Sequence, residues 1–348
     1  VRCNGRDSPQ GHLASRETQA VSRDWGASPS RALPEIVGLL YRARYTPLCP
    51  MTDTSFCSQI ARSHDVSLAG TATEATDWLL IEDPSPWGHD AVADADWFPD
   101  VQATLTAWEE ALPQVRVQLI RRGIKQWDTP GYIRCVAIRT GHAPVVRTWA
   151  LDAYADLEAL DVPAALRSPS SEAIEAPIEE PLILTCTNGR RDACCAKWGR
   201  PVAQSVADLH PAGAWQTSHL GGHRFAPTVL VLPSGVQYGW LAAEDMPDVV
   251  EAHRNGTMYD LDRVRGRVFQ PRPVQAACLA LRRRLHLRAI DVVRGTCLSD
   301  TPPWRVRVRT SDRIETAHVR RVERDAAFRH SCRTDETTPC VEWAVTWM

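Results

Sequence analysis

Cys186 and Cys195 bracket the stretch Thr-Asn-Gly-Arg-Arg-Asp-Ala-Cys, and His219 and His223 bracket Leu-Gly-Gly. Two thiolates and two imidazoles make a complete four-ligand set for zinc or for a [2Fe-2S] cluster. Zinc makes such a site structural, whereas iron and sulfide make it a carrier of single electrons. The segment between the two cysteines is longer than the two to four residues usual in zinc knuckles, which favours a bulkier centre. Each motif supplies one kind of ligand, unlike a Rieske site, where cysteine and histidine are mixed within each short motif. Both thiolates can therefore serve one iron and both imidazoles the other. Cys194 adjoins Cys195 and competes for the second thiolate position, and the register set by Asp192 favours Cys195.

These ligands need strand ends and loops to hold them. Apolar runs and turn residues predict a strand over Trp78 to Glu82, a helix over Phe98 to Leu112, strands over Val115 to Arg121, Tyr132 to Arg139 and Val145 to Leu151, and a helix over Asp152 to Leu160. The order then starts again. Leu182 to Thr187 reads as a strand, Asp192 to His210 as a helix, and Trp215 to His219 as a strand. Thr228 to Leu232 and Val236 to Leu241 form a hairpin through Pro233-Ser234-Gly235, and Met246 to His253 is a helix. Both halves read β, α, β, β, β, α, which predicts an α/β protein of two tandem thioredoxin-like domains in the βαβββα order. Cys186 then ends a strand, Cys195 lies in the first turn of the next helix, and His219 ends another strand. Gly221-Gly222 argue for a loop around His219 and His223 rather than a helix.

The boundaries that follow are 1–50 as a disordered or non-native N-terminal extension, and 51–166 as a first thioredoxin-like domain without metal ligands. A Ser-, Pro- and Glu-rich linker spans 167–180, and the ligand-bearing domain spans 181–262. An Arg-rich α+β appendage occupies 263–348, with a helix over Val274 to Leu287 and a strand at Trp304 to Arg309. Charge is divided unevenly: residues 51–262 hold 15 basic and 29 acidic groups, a balance of -14, while 263–330 hold 17 arginines against 6 acids, a balance of +11. Fields of that size can steer a charged partner or dock the two regions on each other.

At 348 residues, 44% hydrophobic and 24% charged, the chain has a globular composition and room for more than one domain. No apolar run is long enough to cross a bilayer, and the opening Val-Arg-Cys-Asn-Gly-Arg lacks a secretory pattern, so a cytoplasmic location with no membrane partner is expected. Eleven scattered cysteines then read as ligands and buried thiols rather than a disulfide framework. Cys57 and Cys135 are expected to be buried apolar thiols. Cys278, Cys297, Cys332 and Cys340 are too irregularly spaced to predict a second metal site. Trp78, Trp87, Trp97, Trp108 and Trp127 are expected in the core of the first half. Neither a Gly-x-Gly-x-x-Gly nor a P-loop pattern occurs, so no bound nucleotide is expected.

The segments Cys-Thr-Asn-Gly-Arg-Arg-Asp-Ala-Cys-Cys, Gly199-Arg200-Pro201 and His219-Leu-Gly-Gly-His223-Arg-Phe-Ala-Pro-Thr228 resemble the sucrase/ferredoxin-like family of thioredoxin-like ferredoxins. Leu68-Ala-Gly-Thr-Ala72 and Trp78-Leu-Leu-Ile-Glu-Asp-Pro-Ser-Pro-Trp-Gly88 do so in the first half, and the resemblance runs from about Cys57 to Gly256. It implies a [2Fe-2S] cluster on Cys186, Cys195, His219 and His223, and hence an electron-transfer protein working with a redox partner protein. That is a redox carrier more than a catalyst with its own substrate. Asn188 stands where the family commonly has histidine. No pair of carboxylates is placed for sugar hydrolysis, since Glu82 and Asp83 are adjacent and point apart on a strand. The alternatives are a redox-sensing or zinc-stabilised regulator whose basic C-terminal region binds nucleic acid, and a thiol oxidoreductase using Cys194 and Cys195 without the usual Cys-x-x-Cys.

Overall fold

A nine-stranded sheet dominates the computed structural model, which describes residues 56–123, 131–167 and 180–348. A short helix α1 (Cys57–Ser63) precedes β1 (Asp77–Glu82), α2 (Pro99–Ala111), β2 (Val115–Arg121), β3 (Ile133–Arg139) and β4 (Val145–Leu151). After a 3-10 turn at Tyr154–Ala159 comes α3 (Val162–Arg167). The expected helix over Asp152 to Leu160 is thus split. Leu160 is extended, and the carboxylate of Asp161 accepts from the Ala164 amide to start a new turn in which Pro163 lacks only an N–H the helix would leave unpaired. Most of the expected linker, all of the expected N-terminal extension and Trp127 lie outside the described residues.

The second half repeats the order with β5 (Leu182–Cys186), α4 (Ala193–Leu209), β6 (Ala214–Thr217), β7 (Thr228–Leu232), β8 (Val236–Gly239) and α5 (Met246–Arg254). In each half the first two strands are parallel and the third and fourth return antiparallel, so the halves run β4-β3-β1-β2 and β6-β5-β7-β8. They are not separate sheets. β2 pairs antiparallel with β6, Ile120 opposite Thr217, and the ladder is continuous. Antiparallel pairing lays the N-terminal end of β2 beside the chain leaving β6, which brings first-half residues to the histidine loop.

The sheet is curled, and one of its faces buries Trp78, Leu80, Ile120 and Val136 from the first half with Leu184, Trp215 and Leu230 from the second. On its other face, α2 covers β1 to β3, and α4 with α5 covers β5, β7 and β8. Trp78, Trp87 and Trp108 are buried and Trp97 packs against the same core.

β9 (Val264–Arg267) adds to β8 at the far edge of the large sheet, although the sequence boundary at 263 assigns it to the Arg-rich region. Its arginines are internal: Arg267 donates to the carbonyls of Ser234, Ile290 and Gly141, and Arg265 is sunk under the histidine loop. The following α6 (Arg272–Leu285) packs on a four-stranded antiparallel sheet of β10 (Arg294–Cys297), β11 (Trp304–Arg309), β12 (Ile314–Arg329) and β13 (Thr337–Trp347). Alternation along β11 buries Val306 and Val308 and exposes Arg305, Arg307 and Arg309. β12 and β13 run well beyond that sheet as a hairpin arm, which lies along α1 through hydrogen bonds from Arg324 to the carbonyls of His64 and Asp65. The molecule is therefore mixed α/β with one large and one small sheet. No helix among the described residues is long and apolar enough to cross a membrane.

Candidate metal centre

Cys186 ends β5, and the loop from Thr187 to Asp192 turns directly into α4. Asn188 shapes it: its side-chain oxygen accepts from the amides of Arg190 and Arg191 at 3.1 and 3.2 Å, and its amide nitrogen donates to the Gly88 carbonyl. Asp192 caps α4 by accepting from the Cys194 amide at 3.0 Å. Cys195 is thereby fixed in the first turn. One turn on, Gly199 lets α4 approach the end of β5, for a Cβ there would lie 2.1 Å from the Cys186 carbonyl oxygen.

The histidine loop is held from three sides. Thr73 Oγ1 and Gln237 Nε2 donate to the Leu220 carbonyl, and Arg116, from the start of β2, donates to the His219 carbonyl at 3.2 Å. Arg265 donates to the carbonyls of Gly221 and Thr71 and stacks 4.8 Å from the Phe225 ring centre. Gly222 has φ +74°, and a Cβ on it would lie 2.6 Å from the Arg265 guanidinium. Left-handed backbone and close approach both require glycine there.

Three of the four expected ligands converge: Cys186 Sγ, Cys195 Sγ and one His219 ring nitrogen lie within 4.8 Å of one another, with His219 Nδ1 3.9 and 3.6 Å from the two sulfurs. Both thiols are buried. The hydrogen bond from Cys195 holds Cys186 well below the usual thiol pKa against the opposing effect of burial, and the same bond raises Cys195. A thiol favoured as thiolate is the form that a metal ion binds.

His223 stands one step away. Its ring centre is 5.5 Å from that of His219, but its Nδ1 faces the Asp192 carboxylate at 3.3 Å and Cys57 Sγ at 3.5 Å. Burial, with His219 and Arg224 adding to it, pushes its pKa down to about 3, so the ring is neutral, the form that binds metals. A carboxylate on Nδ1 orients the ring and leaves Nε2 as the nitrogen that could bind a metal.

The sucrase/ferredoxin-like family model matches residues 68–269, more than half of the chain. The chain belongs to that family. Every residue of the Cys186, Cys195, His219 and His223 set lies inside the region this sucrase/ferredoxin-like chain shares with its family. No curated protein and no solved structure matches the chain significantly.

Spacing alone did not point to Arg116 or Arg265 around the ligands, and of Asp192 it gave only the helix register. Arg116 and Arg265 lie in different halves of the matched region, and only strand pairing brings them to one loop. Cys57, expected as a buried apolar thiol, is buried in an apolar cluster with Phe56 and Ala226, and there it also touches Cys194 Sγ at 3.4 Å, beside Asp192 and Cys332. Cys135 does sit in the apolar core of the first half. The nine cysteines among the described residues are all free thiols.

Proposed function

We propose that this sucrase/ferredoxin-like protein is an electron carrier with one [2Fe-2S] cluster on Cys186, Cys195, His219 and His223, exchanging electrons with a redox partner protein. The observation that carries this reading is the convergence of two buried thiols, one ending β5 and one in the first turn of α4, with the partly buried imidazole of His219 just past β6 and a second imidazole, that of His223, beside it. The donor set fits the group: two soft thiolates and two imidazoles. The strand orders β4-β3-β1-β2 and β8-β7-β5-β6 support reading the halves as two thioredoxin-like units, with the cluster in the second.

When bound, such a cluster supplies reversible one-electron capacity. The chain does the rest. Cys186 and Cys195 bring the negative charge, and the imidazoles replace two further thiolates, which raises the reduction potential above that of an all-cysteine site. Arg116 and Arg265 place fixed positive charge under the loop, in the same sense. Asp192 holds His223 through Nδ1.

The test is iron and sulfide analysis with visible and electron-spin spectra of anaerobically purified protein. Two irons and two sulfides per chain are expected, with a reducible chromophore. His219→Cys is expected to keep a cluster at a lower midpoint potential with an altered spectrum. A protein holding zinc alone, or spectra unchanged in both His219→Cys and His223→Cys, overturns the assignment.

A further inference from the structure

Three cysteines remote in sequence meet on the other side of the first turn of α4. Cys57 opens α1, Cys194 opens α4, and Cys332 lies in the turn of the β12–β13 arm. Cys57 Sγ is 3.4 Å from Cys194 Sγ, and Cys194 Sγ is 3.2 Å from Cys332 Sγ. An Asp192 carboxylate oxygen completes a group of four ligand atoms all within 4.8 Å of one another. Cys57, Cys194 and Asp192 are buried, and Cys332 is partly so. Cys57 and Cys332 lie outside the region matched by the family, and Asp192 and Cys194 inside it.

We propose that Cys57, Cys194, Cys332 and Asp192 form a second, structural metal site that takes zinc. The separations suit a tetrahedral ion better than a covalent pair. Zinc–sulfur bonds of about 2.3 Å put tetrahedral sulfurs about 3.8 Å apart, so the thiols need to spread by about half an ångström. A disulfide needs about 2.05 Å, a much larger collapse that would leave the third sulfur and the carboxylate unpartnered.

Within an apolar cluster that includes Phe56, Ala226 and Trp198, backbone amides point at two of the sulfurs. The Ser58 amide donates to Cys194 Sγ and the Cys57 amide to Cys332 Sγ, each at 3.4 Å. Asp192 is held in place by Ser331 Oγ at 2.9 Å and the Cys332 amide at 2.8 Å, both on Oδ2, while Oδ1 lies 3.9 Å from Cys57 Sγ. A zinc ion displaces the thiol protons, releasing them as it binds.

The site would staple three segments otherwise far apart, tying α1 and the hairpin arm to the helix that carries Cys195. Asp192 and Cys57 also approach His223, at 3.3 and 3.5 Å, and the experiment separates the two centres by metal and by residue. The full chain is purified anaerobically, incubated with zinc chloride, desalted and analysed for zinc and iron. One zinc per chain is expected in addition to iron. Cys332→Ser should lower zinc retention by about tenfold or more while leaving iron and the visible spectrum unchanged, which also shows that the variant folds; Cys57→Ser, whose sulfur also lies 3.5 Å from His223 Nδ1, should lower zinc retention by as much. Cys186→Ser should do the reverse. Cobalt(II) added to zinc-depleted protein should give tetrahedral thiolate absorption that Cys332→Ser abolishes. The proposal is overturned if the wild type retains no zinc, if both serine variants retain it, if the chain is lighter by the two hydrogens of a Cys57–Cys194 or Cys194–Cys332 disulfide, or if Cys332→Ser removes the iron chromophore.

Discussion

Gly199→Ala is the sharpest probe of how α4 positions Cys195. The new methyl carbon would sit 2.1 Å from the Cys186 carbonyl oxygen, against about 3.3 Å for a normal carbon–oxygen contact. The obstacle is backbone, so no side chain can rotate away, and helix and strand end must part by about 1.2 Å. Overpacking of that kind costs roughly 1–3 kcal/mol, from which the better helix propensity of alanine returns up to about 1 kcal/mol. The net loss is about 1–2 kcal/mol, a fall in Tm of roughly 2–8 °C for a unit of this size. Cys195 lies four residues before Gly199 on the same helix face, so the displacement is felt at the ligand pair. Metal–ligand distances tolerate about 0.2 Å, and iron content per chain should therefore fall more steeply than stability does. Gly131→Ala is the control, because a Cβ there meets nothing within 4 Å. If Gly199→Ala matches the wild type in both Tm and iron loading, the close approach of α4 to Cys186 is not what sets the ligand geometry.

Two further perturbations read the electrostatics. Burial lowers the pKa of His253, which shares a hydrogen bond with the Tyr238 hydroxyl, to about 3 from an ordinary value of about 6.5. Its contribution to stability is whole above pH 6.5 and drains as the pH falls toward 3, because the unfolded chain takes a proton that the folded one refuses; at pH 5 the loss is about 2 kcal/mol. Urea midpoints measured from pH 7.5 to pH 5 should show this slope in the wild type and a shallower one in His253→Gln, and equal slopes would refute it. Asp192→Ala removes a helix cap and strands the Ser331 hydroxyl and the Cys332 amide, for a loss of about 3–5 kcal/mol. Asp192→Asn keeps one acceptor oxygen, enough for the Ser331 hydroxyl and the Cys332 amide, and sets its NH2 against the Cys194 amide, so it should cost about 1–2 kcal/mol in the same urea assay; similar midpoints for the two variants would show that the bonds from Ser331 and Cys332 do not matter.

Much of the element order could be read from the chain because apolar alternation and turn residues mark β1 to β8 directly. The exceptions share a cause. β9 reads Val-Arg-Gly-Arg and carries two arginines inward, each satisfied by carbonyls from distant loops, so no local pattern distinguishes it from an exposed basic segment. β12 alternates weakly because its outer half pairs as an arm instead of covering a core. The candidate ligands were legible for a different reason: Cys186, Cys195, His219 and His223 fall in two short motifs, and strand ends bring short motifs together. Cys57, Cys194 and Cys332 had no such signal. Their meeting depends on the arm folding back across α1, a contact between residues more than a hundred positions apart.

The adjacency of Cys194 and Cys195, ambiguous in the sequence, becomes informative on a helix. Successive residues on a helix project about 100° apart, so neighbours in the first turn face different surroundings. Cys195 faces His219 at 3.6 Å, and Cys194 faces Cys57 and Cys332. Asp192, two and three residues earlier, lies between the groups, with Oδ1 toward Cys194 and Cys57 and Oδ2 within 3.3 Å of His223. A division of labour follows that paired variants can measure. Cys195→Ser should lose iron and keep zinc, while Cys194→Ser should lose zinc and keep iron, both read by metal analysis on the same preparations. Loss of the same metal from both variants would mean that the two thiols serve one centre, and the separation of the groups across the first turn of α4 would then carry no functional meaning.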